Sequence, residues 1–389
     1  MTLTNPATPD AADRPRQAHP ADRLRAAAPA LLTYAAIRAL GLLVLAGWAH
    51  LADRSARQLL SQRWDSLWYV RVVEHGYDFT LTAPDGRVLS NMAFFPLLPW
   101  LEEGVSTLTL LGPADAGLAV SAVASLAAAW GVFQVVELVY GRRAGLFAVA
   151  LWAALPVGIV QSMAYSESLF VALAAWALYA TLRGNWIAAG LLAALAGLTR
   201  PVGLAVAAAV WVGALLALRT GTAAGPRWRL VLGVVLAPLG AAGYVLWVGV
   251  RTGSPFFGYL DVQGAWGNGF DGGLAFVRFI GDLVVSTPAA GLALAAGVLV
   301  VPWLYWRGVR QGQPAPLLTY CGIVVALALC SSGYFGSKPR LLMPAFPLLL
   351  PLALALARAK ARLAWTVIAV AAAGAAVYGA FWLHGSGPP

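Results

Sequence analysis

The sequence predicts an all-α protein that crosses a lipid bilayer about ten or eleven times. Three observations lead to this fold class: 60% of the 389 residues are hydrophobic, only 11% are charged, and the mean hydropathy is +0.74. A surface exposed to water would not tolerate this composition. A membrane helix needs ~20 apolar residues, and stretches close to this length recur along the chain with short polar turns between them.

Helices are favoured over a β-barrel, because the apolar runs are rich in Ala, Leu and Val and do not alternate with polar residues. Eleven candidate spans are predicted at residues 30–51, 116–139, 144–163, 168–182, 187–198, 202–218, 230–250, 289–306, 317–330, 341–357 and 363–382. The apolar segments 94–111 and 273–285 contain charged residues, so they are interpreted as interfacial helices.

Basic residues lie in the short turns beside alternate spans and set the predicted topology. They are Arg142, Arg143, Arg183, Arg219, Arg227, Arg229, Arg307, Arg310, Arg358, Lys360 and Arg362. The positive-inside rule places these turns in the cytoplasm together with the N-terminus. The expected location is the cell membrane. The net charge of +10 is scattered over span ends, which argues against nucleic acid as a partner.

The chain is predicted to form one membrane domain, residues 29–384, with two long outer loops at 52–115 and 251–288. Residues 1–28 are rich in Ala, Pro, Asp and Arg and are expected to form a disordered cytoplasmic tail. Residues 385–389 are expected to form a short C-terminal tail. Long loops between membrane helices usually contain functional residues, so we expect the chemistry on the extracytoplasmic face.

The first outer loop places carboxylates among aromatic rings. The stretch RWDSLWYVRVVEHGYD contains Trp64, Asp65, Trp68, Tyr69, Glu74, His75 and Asp78. Aromatic rings pack on the C–H face of a pyranose, while a carboxylate accepts hydrogen bonds from hydroxyls and can remove a proton. Two interpretations remain open: a sugar site with Asp65 as its reactive carboxylate, or a capped interfacial helix inside an aromatic belt.

Charged residues at three other outer turns complete the candidate site. Glu167 either binds a substrate or stabilises the N-terminus of the next helix through its dipole. Arg200 lies between two very apolar spans, where a functional role such as binding a phosphate is the default hypothesis. Lys338 and Arg340 would add contacts to phosphate oxygens, with interfacial snorkelling as the alternative for Lys338.

Four blocks of sequence, in order, resemble the PIG-V type mannosyltransferases of the C-type (GT-C) glycosyltransferase superfamily. The blocks are WDSLWYVRVVEHGYD with the following AFFPLLPWL, AYSESLFVALAAWALY, AAGLLAALAGLTRPVG and GSKPRLLMPAFPLLLPLA. The resemblance covers roughly residues 63–353. Several ordered blocks are far more specific than a single short motif.

The resemblance implies a GT-C-like helical bundle whose first outer loop contains short interfacial helices. It also implies transfer of a hexose, expected to be mannose, from a polyprenyl-phosphate donor with inversion at the anomeric carbon. Asp65 matches the acidic residue that these enzymes place after the first span, and would act as the base. The expected partners are the lipid bilayer, the lipid-linked donor and a glycan, lipid or protein acceptor.

No cofactor is required by the sequence. The acidic and histidine residues of the first loop match no ligand template, so a divalent metal is an open alternative that the spacing does not indicate. Two other function classes stay open beside the enzyme: a transporter or flippase of lipid-linked sugars, and a non-catalytic scaffold with the same fold. A transporter should place its ionisable groups at mid-membrane.

Overall fold

The computed structural model describes residues 20–223 and 225–388, which fold almost entirely into helices. The helices are α1 (Pro20–Leu51), α2 (Ala56–Ser61), α3 (Asp65–His75), α4 (Leu97–Leu108), α5 (Pro113–Tyr140), α6 (Arg142–Ala153), α7 (Glu167–Leu182), α8 (Trp186–Gly197), α9 (Gly203–Arg219), α10 (Arg227–Leu236), α11 (Leu239–Arg251), α12 (Gly258–Ala265), α13 (Leu274–Ser286), α14 (Pro288–Arg310), α15 (Ala315–Cys330), α16 (Lys338–Leu342), α17 (Leu350–Arg358) and α18 (Ala361–His384). Four short strands are β1 (Thr80–Thr82), β2 (Val88–Ser90), β3 (Gly269–Phe270) and β4 (Ser331–Ser332). The all-α fold class is confirmed.

Every one of the eleven predicted spans coincides with a helix or a pair of helices. Five are long and apolar enough to cross a membrane: α1, α5, α10 with α11, α14 and α18. Two more are broken helices, α6 with the 3₁₀ helix Pro156–Ser162, bent by 87°, and Phe335–Leu342 with Phe346–Arg358, bent by 76°. The remaining four, α7, α8, α9 and α15, are apolar but have only 12 to 17 residues. The number of crossings therefore stays a prediction.

The first helix begins earlier than the sequence analysis expected. Residues 20–28, which were assigned to a disordered tail, form the first turns of α1, whereas residues 1–19 lie outside the described residues. Alanine has the highest helix propensity, and Asp22 in the first turn interacts favourably with the helix dipole. Ala27 and Ala30 are also fully buried in the core, so tertiary packing holds this extension in place.

Small residues allow the helices to pack closely. About half of the buried residues in the largest core cluster are alanines, and most of these lie in α5, α6, α7, α8 and α9. At Gly190 of α8 there is no room for a Cβ, because the backbone of Gly233 in α10 lies directly against it. Close approach through small residues is typical of helix packing in membranes, where hydrophobicity alone gives no driving force between helices.

A buried arginine supports the break between α6 and the 3₁₀ helix that follows it. Arg38 of α1, only 8% exposed, donates hydrogen bonds to the carbonyls of Gly158 and Ala153, the latter at 2.8 Å. These carbonyls lie where the regular helical bonding stops, and an unsatisfied carbonyl in an apolar environment is costly. Arg38 was not among the sequence candidates, and its partners give it a structural role.

The two long loops pack against each other at one end of the bundle. As expected, the first loop forms short helices, α2, α3 and α4, with the hairpin β1–β2 between them. Tyr244 of α11 donates to the carbonyl of Phe94 at 2.8 Å, and Trp266 donates to the carbonyl of Ser90 at 3.0 Å. Strand β3 of the second loop pairs with β4, so the segment before α16 joins the same assembly.

Candidate active site

The site begins at the N-terminus of α3, where Asp65 is the first helical residue. The side chain of Asp65 is 25% exposed and makes an ion pair with Arg340 rather than capping α3. The hydroxyl of Ser66 instead closes the preceding turn, because it accepts from the amide of Arg63 at 3.1 Å and donates to the carbonyl of Arg63 at 2.6 Å. Asp65 is therefore free of the helix-capping role that its position allowed.

The residue before Asp65 has a strained backbone. Trp64 has φ +51° and ψ −123°, a conformation that glycine adopts readily and that a bulky residue rarely adopts. Such a conformation costs about 1–3 kcal/mol and is maintained only when the surroundings fix it. Because Trp64 immediately precedes α3, its conformation sets the direction in which the helix and Asp65 point.

Arg340 connects the two carboxylates of the site. Its guanidinium pairs with Asp65, its Nε lies 3.6 Å from Glu167 Oε1, and its charge lies 5.1 Å from the centre of the Tyr165 ring. The Arg340 side chain is only 9% exposed. An arginine in such a position is fully charged and presents several fixed donors, which suits it to bind a second anion together with the carboxylates.

Glu167, at the start of α7, is the buried centre of the cluster. Its side chain is 1% exposed and pairs with Arg200 as well as with Arg340. Ser166 does not cap α7 through its side chain, because its hydroxyl accepts hydrogen bonds from Tyr69 at 2.8 Å and from Arg200 at 3.3 Å. Burial raises the pKa of Tyr69 well above its ordinary value of 10.0, so this hydroxyl remains a donor.

Asp65, Glu167, Arg200 and Arg340, the ion-pair cluster, thus combine two negative with two positive charges. They come from four separate segments of the chain and meet at one end of the bundle. The cluster reaches solvent mainly through Asp65, 25% exposed, and Arg200, 15% exposed. An incoming ligand would therefore meet one carboxylate and one guanidinium, which can bind a hydroxyl and a phosphate, respectively.

Two predicted site residues lie far from this cluster. Glu74 and His75 are at the other end of α3, about 14 Å from Asp65 along the helix axis at 1.5 Å per residue. Glu74 is exposed there and pairs with Arg71 at 3.0 Å and with His75 at 3.8 Å. The structure thus does not bring Glu74 and His75 to the cluster, because they follow Asp65 by more than two helical turns.

Lys338 also makes contacts that do not belong to the cluster. Its ammonium donates to the carbonyls of Ala328, at 2.8 Å, and Ser331, and to the Ser331 hydroxyl at 3.1 Å. It also lies 4.9 Å from the ring centre of Phe276. All three donors are used at the C-terminal end of α15, where a cation satisfies the last carbonyls of the helix. In this arrangement Lys338 has no donor left for a phosphate.

The predicted aromatic contacts split into two groups. Trp68, one turn after Asp65 on α3, packs edge-on against Trp266 with ring centres 4.6 Å apart and stacks on Phe94 at 5.7 Å. Trp64 is covered by the guanidinium of Arg63, which lies 3.9 Å from the centre of its ring. Trp68 therefore contributes to an aromatic wall beside the cluster, whereas Trp64 belongs to the turn that leads into α3.

Sequence reasoning missed Tyr165, Ser166 and Arg63 as members of the site. Tyr165 and Ser166 directly precede Glu167 in the AYSES block, and Arg63 directly precedes the WDS motif, so proximity to predicted residues was the available signal.

Among the described residues, no group of three or more His, Cys, Asp or Glu side chains is arranged to hold a metal ion.

A second buried carboxyl lies outside the cluster. Glu102 of α4 is 1% exposed and lies against Gly117 of α5, where a Cβ would come within 2.5 Å of its Oε1 atom. Neither carboxyl oxygen has a hydrogen-bond partner among the described residues. Burial raises the pKa of Glu102 well above its ordinary value of 4.5, which favours the protonated carboxyl in the folded protein.

This carboxyl should make stability depend on pH. The folded protein holds the proton to a higher pH than the unfolded chain, so the free energy of unfolding falls as pH rises above 4.5. The expected slope is about 1.4 kcal/mol per pH unit until the raised pKa is passed. We expect Glu102→Gln to abolish this slope when the free energy of unfolding is measured in detergent. Glu103→Gln, which changes the exposed neighbour, should keep the slope. Parallel curves for the wild type and Glu102→Gln would contradict the assignment.

Comparison with known proteins gives a partial match to one family and a likeness in fold to several solved structures. Residues 38–219 match the family model of the PIG-V mannosyltransferases, a segment that includes Asp65, Glu167 and Arg200. No curated protein matches the sequence significantly. The resemblance to the PIG-V family that the motifs indicated is confirmed.

Among solved structures, the chain resembles ArnT from Cupriavidus metallidurans bound to undecaprenyl phosphate, with 20% identity over 86% of this chain and 62% of that one, and a TM-score of 0.52. It also resembles the Archaeoglobus fulgidus oligosaccharyltransferase with Zn and sulfate, with 14% identity over 91% of this chain and 53% of that one, at TM-score 0.50. A structure of AglB from the same organism, with an inhibitory peptide and a dolichol-phosphate, matches with 12% identity over 92% of this chain and 56% of that one, at 0.50. The chain spans a little over half the length of these proteins. The likeness shows a shared fold, which agrees with the predicted helical bundle, and the chain is a multi-pass membrane protein.

Proposed function

We propose that this chain is a membrane glycosyltransferase that moves a hexose, with mannose as the expected sugar, from a polyprenyl-phosphate carrier to an acceptor hydroxyl. The observation that supports it most directly is the ion-pair cluster, in which a partly exposed carboxylate, Asp65, pairs with Arg340, while Arg340 and Arg200 both contact the buried Glu167. The family model and the solved structures with undecaprenyl phosphate and dolichol-phosphate point to the same class of donor.

The two arginines would bind the phosphate of the donor. Arg200 is the more exposed of the two and would make the first contact, while Arg340 would divide its donors between the phosphate and Glu167. Because Glu167 is buried between both guanidiniums, it fixes their positions and prevents two like charges from repelling each other. When a phosphate engages Arg340, a carboxylate oxygen of Asp65 becomes available to the acceptor.

Asp65 would then act as general base. The acceptor oxygen attacks the anomeric carbon from the face opposite the phosphate and forms the new C–O bond, while its proton moves to the Asp65 carboxylate. The bond between the anomeric carbon and the phosphate oxygen breaks, and the polyprenyl phosphate leaves with the electron pair. A single displacement inverts the anomeric centre, and the phosphate leaves without protonation, so one carboxylate suffices.

The aromatic wall of Trp68, Phe94 and Trp266 would contact the sugar or the first isoprene units. Its position one helical turn from Asp65 places a half-buried apolar surface next to the reacting centre. Flat rings pack on the C–H face of a pyranose. The acceptor would approach from the extracytoplasmic side as a glycan, a lipid or a protein hydroxyl.

The test is direct transfer by the purified protein in liposomes. We expect radiolabel to move from polyprenyl-phosphate mannose to one member of an acceptor panel of glycans, lipids and peptides, and none to move from a water-soluble nucleotide-mannose. The anomeric configuration of the product, read by NMR, should be opposite to that of the donor. Movement of the sugar lipid between leaflets without any product would instead identify a transporter. Binding of the donor without sugar transfer and without movement between leaflets would favour a non-catalytic scaffold.

A further inference from the structure

The last residues of α18 and those that follow them lie across the turn that leads into α3. Arg63 donates from Nη1 to the carbonyl of Leu383 at 2.5 Å and from Nη2 to the carbonyl of Gly385 at 2.8 Å. Trp64 donates from its indole nitrogen to the carbonyl of Ser386 at 3.4 Å. We call residues 383–387 the C-terminal strap. Three of its carbonyls are thus bound by the two residues that directly precede Asp65.

The strap also contacts the segment that supplies Arg340. Gly387 packs against the hydroxyl of Tyr334, so closely that a Cβ at Gly387 would collide with it. Tyr334 directly precedes the short 3₁₀ helix Phe335–Ser337, which leads into α16 and Arg340. The strap therefore joins the segment before Asp65 to the segment before Arg340, the two residues whose side chains form one ion pair of the cluster.

The turn at Trp64 needs such support. Its left-handed backbone is unfavourable for a tryptophan. Trp64 is also the N-cap residue of α3, and its side chain makes no capping hydrogen bond. The Arg63 guanidinium lies 3.9 Å from the centre of the Trp64 ring while its donors hold the strap. The side chain of Arg63 consequently links the strained Trp64 to the strap.

We propose that the C-terminal strap positions the catalytic base, with Arg63 as the positioning residue. The strap holds Trp64 in its left-handed conformation, and this conformation aims Asp65 at the acceptor. The inference rests on the proposed transferase function but concerns residues that touch neither donor nor acceptor. Since a displacement of ~1 Å at a reacting group can reduce a rate ~100-fold, loosening the strap should reduce turnover and leave donor binding intact.

The test compares Arg63→Gln, Arg63→Lys and deletion of residues 385–389 with the wild type in the transfer assay. We expect Arg63→Gln and the deletion to lower kcat about 10- to 100-fold, with the donor KM and the affinity for radiolabelled polyprenyl phosphate changed less than about twofold. Arg63→Lys should restore part of kcat, because one ammonium can still reach one strap carbonyl. The kcat of the variant that combines the deletion with Arg63→Gln should be no lower than the kcat of either single variant.

A matched control uses Arg54, an exposed arginine whose contact with the strap, a 3.3 Å hydrogen bond to the carbonyl of His384, does not involve Trp64. Arg54→Gln should leave kcat unchanged. An unchanged kcat in Arg63→Gln, an increased kcat in the deletion, or equal losses in Arg54→Gln and Arg63→Gln would each overturn the positioning role. If Arg63→Gln does not fold, the deletion decides. Failure of the wild type to transfer sugar would refute the proposed function. The wild-type measurement therefore separates that outcome from failure of the positioning role.

Discussion

Asp65→Asn should abolish nearly all sugar transfer while leaving the protein folded. Asparagine has the same size and can still accept a hydrogen bond from Arg340, but it cannot take the acceptor proton. General base catalysis typically contributes 10²–10⁴-fold to a rate, so we expect kcat to fall by at least ~100-fold. The measurement is initial-rate transfer from radiolabelled polyprenyl-phosphate mannose, with melting temperature recorded in parallel.

The matched control for this variant is on the same helix. Glu74 is exposed, pairs with Arg71 and His75, and lies more than two turns away from Asp65. We expect Glu74→Gln to transfer sugar at the wild-type rate. Binding of the polyprenyl phosphate should survive in Asp65→Asn, because the arginines are retained. Equal activity in Asp65→Asn and the wild type would exclude Asp65 as the base.

Glu167→Gln should destabilise the fold and weaken donor binding together. The glutamate is 1% exposed and neutralises Arg200 and Arg340, so the substitution leaves two guanidiniums to share one remaining carboxylate. Removing one partner from a buried ion pair typically costs about 3–5 kcal/mol. Unfolding followed by tryptophan fluorescence in detergent should reveal this loss, and the donor KM should rise because the arginines shift.

A partly exposed glutamate–arginine pair elsewhere in the chain provides the comparison. Glu137, 27% exposed, pairs at 3.2 Å with Arg142, which is 69% exposed. Surface pairs contribute about 0–1 kcal/mol, so Glu137→Gln should change stability little. If both substitutions cost the same, or if Glu167→Gln binds the donor as the wild type does, then the buried pair does not organise the phosphate site.

Hydropathy predicted the helices well, because each apolar segment needs only its own sequence to be recognised. It could not predict the bends, since the break after α6 depends on Arg38 from a different helix satisfying Gly158 and Ala153. The early start of α1 was missed for a similar reason. Composition indicated a polar tail, whereas burial of Ala27 extends the helix to Pro20.

The charged residues of the site were recognisable from their motifs, but their pairing was not. Asp65 and Arg340 are 275 residues apart in sequence, so only the tertiary fold brings them into contact. Lys338 and Arg340 are two residues apart and were predicted to act together. In a helix, residues two positions apart point in nearly opposite directions, so only one of them can face the cluster. Arg340 does so, and Lys338 binds the end of α15.

The distance of Arg340 from Asp65 along the chain has a consequence for biogenesis. A ribosome adds ~5–20 residues per second, so Arg340 emerges roughly 14 to 55 s after Asp65, whose partner is 275 residues downstream. Throughout this interval the nascent chain already contains Asp65 but not its partner Arg340. The ion pair between Asp65 and Arg340 therefore cannot form until the later helices have been synthesised, so the cluster is completed only near the end of translation.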